Sequence, residues 1–359
     1  MRNMSQFGIS IRRLLERNPI KTSAPCRIDS GGTWDIKALA LPFEGLDPVT
    51  LNIALNLRTF VTLLPFQSGW VKVSSDSYTT QEAYPIHEVP LSSRFGLFFA
   101  IASFFQVHGV EIVVDSSSPA SAGLGGSSTA AVATIKAFSL VKYLLHQEEI
   151  EPVDILHLAY HLEDAIQGGM CGMQDQGAAV FGGVNKWIWH YSCVGRAFER
   201  ESILDEVGQE ELSKRILVSY SGKRHLSVRT NRVWVEKFLG GTTRSGWVEA
   251  NRVVNCLASY LWERRWVEAA RELRNEVAIR RDITPEAFTP VISRLIDEAE
   301  ERGCGARFAG AGGGGTVWAL GEIDAIERLR ETWTRILKST KNGRILGSEV
   351  DPIGVRAER

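Results

Sequence analysis

A two-domain chain of the α/β (α+β) class is predicted from three features. The first is length: 359 residues suffice for two domains of ordinary size, each with its own core. The second is a first part in which strand and helix periodicities follow one another. The third is a change of texture near residue 200, beyond which charged amphipathic helices dominate. The domains are accordingly set at 1–200 and 201–359.

The elements follow in order. Ile9, Leu14 and Leu15 suggest a short helix within residues 1–20, packed on the first domain. Residues 49 to 64 alternate apolar and polar side chains through their first half and are rich in β-branched residues, which is strand periodicity. Val110 to Asp115 is a second strand, leading into the glycine-rich stretch 119–131. From Ser128 to about Leu145, Val132, Ile135, Phe138 and Leu145 fall on one helical face. Pro152 to Ile166 repeats that pattern after a favourable N-terminal proline, and Gly168-Gly169 ends it. Val180 to Ile188 reads as a turn into a strand. Helices are expected at about 227–238, 246–262, 265–280 and 285–302. A glycine cluster (305–315), a strand (Thr316–Leu320) and a last helix (Ile323–Leu337) complete the chain.

Composition excludes several classes of function. The formal net charge of -1 leaves no surplus of Lys and Arg for a nucleic-acid backbone. No window approaches the ~18 uninterrupted apolar residues of a membrane span, and the N-terminus lacks a compact signal h-region. A cytoplasmic protein without nucleic-acid or membrane partners is expected. A homodimer is allowed but not specified. Five scattered cysteines without C-x-x-C spacing indicate neither a disulfide framework nor a zinc site.

The chemistry starts at Pro119-Ala120-Ser121-Ala122-Gly123-Leu124-Gly125-Gly126-Ser127-Ser128-Thr129. Glycines let backbone N–H groups approach an anion, and the following helix adds unpaired donors and the positive end of its dipole. The loop points to a nucleotide phosphate. It matches neither the G-x-x-x-x-G-K-[ST] fingerprint nor a dinucleotide-binding G-x-G-x-x-G.

Three further clusters accompany this loop: Arg27-Ile28-Asp29-Ser30-Gly31-Gly32-Thr33-Trp34-Asp35, Gly172-Met173-Gln174-Asp175-Gln176, and Gly310-Ala311-Gly312-Gly313-Gly314-Gly315. In this order the four resemble the GHMP kinase superfamily, the small-molecule kinases that include galactokinase, homoserine kinase, mevalonate kinase and phosphomevalonate kinase. The resemblance spans nearly the whole chain, and P-x-x-x-G-L-G-x-S-S with a late G-A-G-G-G-G is specific as a pair. The segments Arg27–Gly32 and Cys171–Gly183 look most like D-glycero-D-manno-heptose 7-phosphate kinases and the related fucose kinases. The resemblance implies a GHMP kinase fold, with an N-terminal domain like ribosomal protein S5 domain 2, a ferredoxin-like C-terminal domain, and ATP and a sugar or sugar-phosphate substrate between them.

It also implies roles. The backbone of Gly123, Leu124, Gly125 and Gly126, with Ser127, Ser128 and Thr129, would wrap the ATP phosphates. One of the two serines, left unseparated, would reach Mg²⁺ with Glu163, or with Asp164 if the register slips by one. Asp175 would contact the acceptor hydroxyl, and Arg27 would pair with it and neutralise charge on the transferring phosphoryl group. Asp29, Asp35, Gln174, Gly312, Gly313 and His225 would line the substrate. Lys223 and Arg224 are candidates for a substrate phosphate, with solvated surface charge as the alternative. One departure stands out: related sugar kinases end the first motif Trp-Thr-Asp, whereas this chain reads Thr33-Trp34-Asp35, one residue shorter. The expected activity is ATP-dependent phosphorylation of a sugar hydroxyl, foremost the anomeric hydroxyl of D-glycero-D-manno-heptose 7-phosphate. An L-fucose or galactose-type kinase, or a non-catalytic sensor of nucleotide and sugar, are the alternatives.

Overall fold

The structure is a computed structural model describing residues 11–358 apart from 33, 76–79, 194, 196, 225 and 226. Residues 11–17 form helix α1, with Ile11 and Leu15 buried; Ile9 lies outside the described residues. Ile20–Asp29 (β1) leads through the short helix Lys37–Ala40 (α2) to Val49–Pro65 (β2), the 17-residue strand on which the first domain is built. Trp70–Ser75 (β3), Thr80–Pro85 (β4), helix Gly96–Phe105 (α3) and Val110–Ser116 (β5) follow. Next come helices Gly126–His146 (α4), Pro152–Gln167 (α5) and Gln174–Phe181 (α6), then Val184–Trp189 (β6) and Phe198–Ser202 (β7).

β1 runs antiparallel along one edge of β2, while β6 and β5 share the other edge, β6 beside its first residues and β5 beside its last. β3 joins β5 in parallel, and the sheet, which the last strand Arg356–Ala357 (β12) edges beside β1, reads β12-β1-β2-β5-β3-β4 with β6 and β7 branching from β2. α4 packs across β1 and β2. Its run of alanines and β-branched residues lets it approach the sheet closely. Its length and composition would suit a membrane span, yet 67% of its apolar window is buried inside the fold, so it is the core helix of this domain.

The second domain comprises helix Glu206–Ser213 (α7), Ile216–Tyr220 (β8), helices Ser227–Leu239 (α8), Arg244–Trp262 (α9), Trp266–Ile283 (α10) and Pro290–Glu300 (α11), strands Gly305–Phe308 (β9) and Thr316–Leu320 (β10), helix Ile323–Leu337 (α12) and Arg344–Leu346 (β11). Its sheet, β11-β8-β10-β9, is antiparallel throughout and carries α10, α11 and α12.

The division at residue 200 needs two amendments. β7 extends the first sheet to Ser202. The chain also returns at its end, where Arg356–Ala357 (β12) pairs with β1. Arg58 on β2 fastens this tail: its guanidinium donates to Asp351 at 2.5 Å and to the carbonyls of Ile353 and Gly354 at 3.0 and 2.7 Å. Residues 351–358 thus close the first domain rather than extend the second.

Candidate active site

β5 ends at Ser116 and hands the chain to the glycine loop. Ser121, Gly123 and Gly125 have φ of +55°, +75° and +75°, the left-handed region in which only glycine is unstrained. Gly125 caps α4 without a side-chain hydrogen bond, so the first-turn amides of this long helix have no intrahelical partner and face the cavity. A Cβ on Gly125 would lie 3.0 Å from Asp175 Oδ2, so glycine also lets the loop approach the carboxylate. The second domain supports the loop, Thr316 N–H donating to the Ala122 carbonyl at 2.8 Å.

In the first turn of α4, Ser127 Oγ and Ser128 Oγ each donate to a different oxygen of Glu163 at 2.6 Å. Gln176 Nε2 (2.7 Å) and Gln167 Nε2 (3.0 Å) complete the carboxylate's partners. Glu163 is buried, and burial raises its pKa against the opposing effect of the two serine hydrogen bonds. Its neighbour Asp164 does not meet the serines; it accepts from the Cys171 N–H at 3.0 Å, in the turn after α5. Two hydroxyls and one carboxylate beside the glycine loop form an all-oxygen donor set, which fits a hard divalent cation with water in its remaining positions.

Across the same cavity, of about 830 Å³, Arg27 meets Asp175. Arg27 Nε and Nη2 both reach Asp175 Oδ1, at 2.8 and 2.7 Å, and Nη1 donates to the Gly123 carbonyl at 2.7 Å. Burial alone would lower the guanidinium's pKa, but Asp175 and Asp29 outweigh it and the pKa is raised. Asp175 sits in the first turn of α6, held there because Gly177 passes flush against Trp187. Asp35 lines the cavity too, accepting from the backbone N–H (3.3 Å) and Nε2 (3.1 Å) of Gln174. Burial, with the charge of Asp175, pushes its pKa up to about 7. Gln174 Oε1 is buried without a partner among the described residues, an acceptor left for a donor such as a hydroxyl.

Several expected residues lie elsewhere. Asp29 is fully buried away from the cavity, its oxygens taken by Arg307 Nη1 at 2.7 Å and the Gly310 N–H at 2.6 Å. Thr129 turns inward to the Gly125 carbonyl at 2.8 Å, so no hydroxyl faces a phosphate there. Gly312 packs on Ala287 and Phe308, and Gly313 donates to the Ala287 carbonyl, so both turn the chain behind the site; Gly310 and Ala311 are the members of the run that line it. His225 lies outside the described residues. Gln176, which anchors Glu163, stood in a recognised motif without an assigned role. Phe95, Phe98 and Ser118 also line the cavity, and Asn231 and Arg224 come from the second domain. The serine run before Pro119 was a usable signal; nothing local marks Phe95, Phe98 or Asn231.

A glycine loop at a helix N-terminus, a serine-held carboxylate and an arginine–aspartate pair thus surround one cavity. Two family models match the chain: GHMP kinases N terminal domain over residues 94–183 and GHMP kinases C terminal over residues 258–338. Among curated relatives it is 30% identical to a D-glycero-alpha-D-manno-heptose 7-phosphate kinase of Campylobacter jejuni over 46% of this chain and 49% of that protein, about half its length. It is 25% identical to a mevalonate kinase of Archaeoglobus fulgidus over 74% of this chain and 83% of that one. The galactose-bound galactokinase of Lactococcus lactis shares the fold, with a TM-score of 0.74 at 14% identity and 99% of both chains covered.

Proposed function

We propose that this protein transfers the γ-phosphoryl group of ATP, with Mg²⁺, to a hydroxyl of a sugar or sugar phosphate. The observation that carries this reading is the Arg27–Asp175 pair, set in the same cavity as the glycine loop and the Ser127–Ser128–Glu163 group. Backbone amides of Gly123–Gly126 and the α4 terminus hold the triphosphate. Ser127, Ser128 and Glu163 would hold Mg²⁺, which would neutralise charge on the phosphates. The acceptor oxygen forms a bond to the γ-phosphorus as the bridging P–O bond to the β-phosphate breaks. Asp175 takes the hydroxyl proton, and Arg27 steadies the carboxylate and the charge spread over the moving group.

The anomeric hydroxyl of D-glycero-D-manno-heptose 7-phosphate is the acceptor we favour. Support comes from the heptose 7-phosphate kinase relative and from a polar acceptor end, Asp35 and Gln174, suited to a polyol. Arg224, on the second-domain wall, is the group we assign to the substrate phosphate. We place the enzyme in the cytoplasm, without nucleic-acid or membrane partners.

The test is ADP release with Mg-ATP across the heptose 7-phosphate, L-fucose, galactose, mannose, mevalonate and homoserine. Asp175→Asn runs in parallel and should lower kcat by roughly 10²–10⁴. Turnover of the heptose phosphate that collapses in the variant is expected. Turnover of mevalonate alone would overturn the sugar assignment, and ATP binding without turnover of any acceptor would favour a sensor.

A further inference from the structure

The turn that carries Asp35 touches the second domain at three places outside the cavity. At its start, Arg307 on β9 donates to Asp29 at 2.7 Å and Trp318 Nε1 donates to the Asp29 carbonyl at 3.0 Å. At Gly31, with φ +106°, a Cβ would lie 2.5 Å from Glu276 Oε1, so the backbone rests directly on that carboxylate. At Trp34, immediately before Asp35, the indole packs edge-on against Trp247 and Phe238 with ring centres 5.8 and 5.7 Å away.

Glu276, on α10, links these places. Arg307 Nε donates to it at 2.9 Å and Arg280 lies 3.9 Å from it, one helical turn on. Asp29, Glu276, Arg280 and Arg307 are all fully buried. The three guanidinium nitrogens of Arg280 have no hydrogen-bond acceptor among the described residues. Its guanidinium lies instead 4.2 Å from the ring centre of Trp234 and 4.3 Å from that of Trp247, the indole that also receives Trp34. Buried charge is costly, and apolar side chains of similar volume are often at least as stabilising. What a charged cluster adds is a single geometry, here applied to the backbone of the substrate turn from the opposite domain.

We propose that Glu276, fixed between Arg280 and Arg307, is a positioning residue that sets the turn carrying Gly31, Trp34 and Asp35, and so places Asp35 at the acceptor end of the cavity. The identity of the acceptor rests on the sugar-kinase reading above; the positioning does not. It also accounts for the altered order Trp34-Asp35: the tryptophan is the anchor on the second domain and the aspartate beside it is the group delivered.

The test compares Glu276→Gln, Glu276→Asp and Trp34→Leu in the full-length protein. Amide hydrogen exchange at Gly31, Gly32 and Trp34 should speed by about tenfold or more in Glu276→Gln, with α4 amides unchanged. The KM for the sugar acceptor should rise about tenfold or more, while kcat and the KM for ATP stay within about threefold. Glu276→Asp, which keeps the charge on a shorter arm, should recover part of the loss. Trp34→Leu should reproduce the acceptor effect, and the double variant should show less than the sum of the two. Unchanged exchange around Gly31 in a folded Glu276→Gln protein overturns the proposal, as does a parallel rise in both KM values, the mark of general loosening. If Glu276→Gln does not fold, Trp34→Leu gives the same readings. If the wild type turns over no sugar, the proposed function has failed, and the exchange data still decide the positioning.

Discussion

Asp35 shows how placement alters a residue's chemistry. Its carboxyl, ordinarily near 3.8, stands at about 7 because burial disfavours the charge and Asp175 repels it. The native state therefore holds a proton that the unfolded chain releases. Stability from this group is full below about pH 4, declines as pH rises, and is lost above about 7. Asp35→Asn should remove that slope, so that relative to wild type the variant becomes more stable between pH 5 and 8 by about 2–4 kcal/mol, read from urea unfolding. Parallel pH profiles for the two proteins would refute this. At the same scale, motif context singled out Arg27 and Asp175 and the spacing from Asp175 singled out Glu163, and all three line one cavity. Asp29 stood in equally good context, yet its partner Arg307 lies 278 residues away, and no local pattern foretells that pairing.

Among elements, the long amphipathic helices were readable because three or more turns of one apolar face repeat the signal. α12 occupies Ile323–Leu337 as expected, and α9 and α10 differ from expectation by a few residues. α6 was not foreseen: it has eight residues, begins two residues after Gly172 and contains Gly177. Its glycine is a packing residue, since a Cβ on Gly177 would meet Trp187 at 2.7 Å. The loop before α4 gives a prediction of its own. Gly125→Ala adds a left-handed alanine, costing ~1–2 kcal/mol, and a methyl group against Asp175. ATP affinity should fall about tenfold or more. A thermal shift with Mg-ATP equal to that of wild type would show that the loop tolerates a side chain and does not hold the phosphates closely.

In the whole molecule, the return of the tail ties the end of the chain to its beginning. Removing residues 348–359 would leave Arg58 buried on β2 without Asp351 or the two carbonyls. The expected loss is about 3–5 kcal/mol, seen as a lower denaturant midpoint. Arg58→Met in the shortened protein should restore part of it, because no unpaired charge remains. No change on truncation would mean that the tail only lies against the sheet. By itself the sequence determined the local periods and the glycines that turn the loop before α4, since strand alternation, helical faces and backbone freedom are properties of neighbouring residues. Only the tertiary structure decided which side chains remain free for a ligand. Asp29 and Thr129 are taken by buried partners, Gly312 and Gly313 turn behind the wall, and Glu163 rather than Asp164 meets the serines, because availability depends on burial and pairing between residues far apart in the chain.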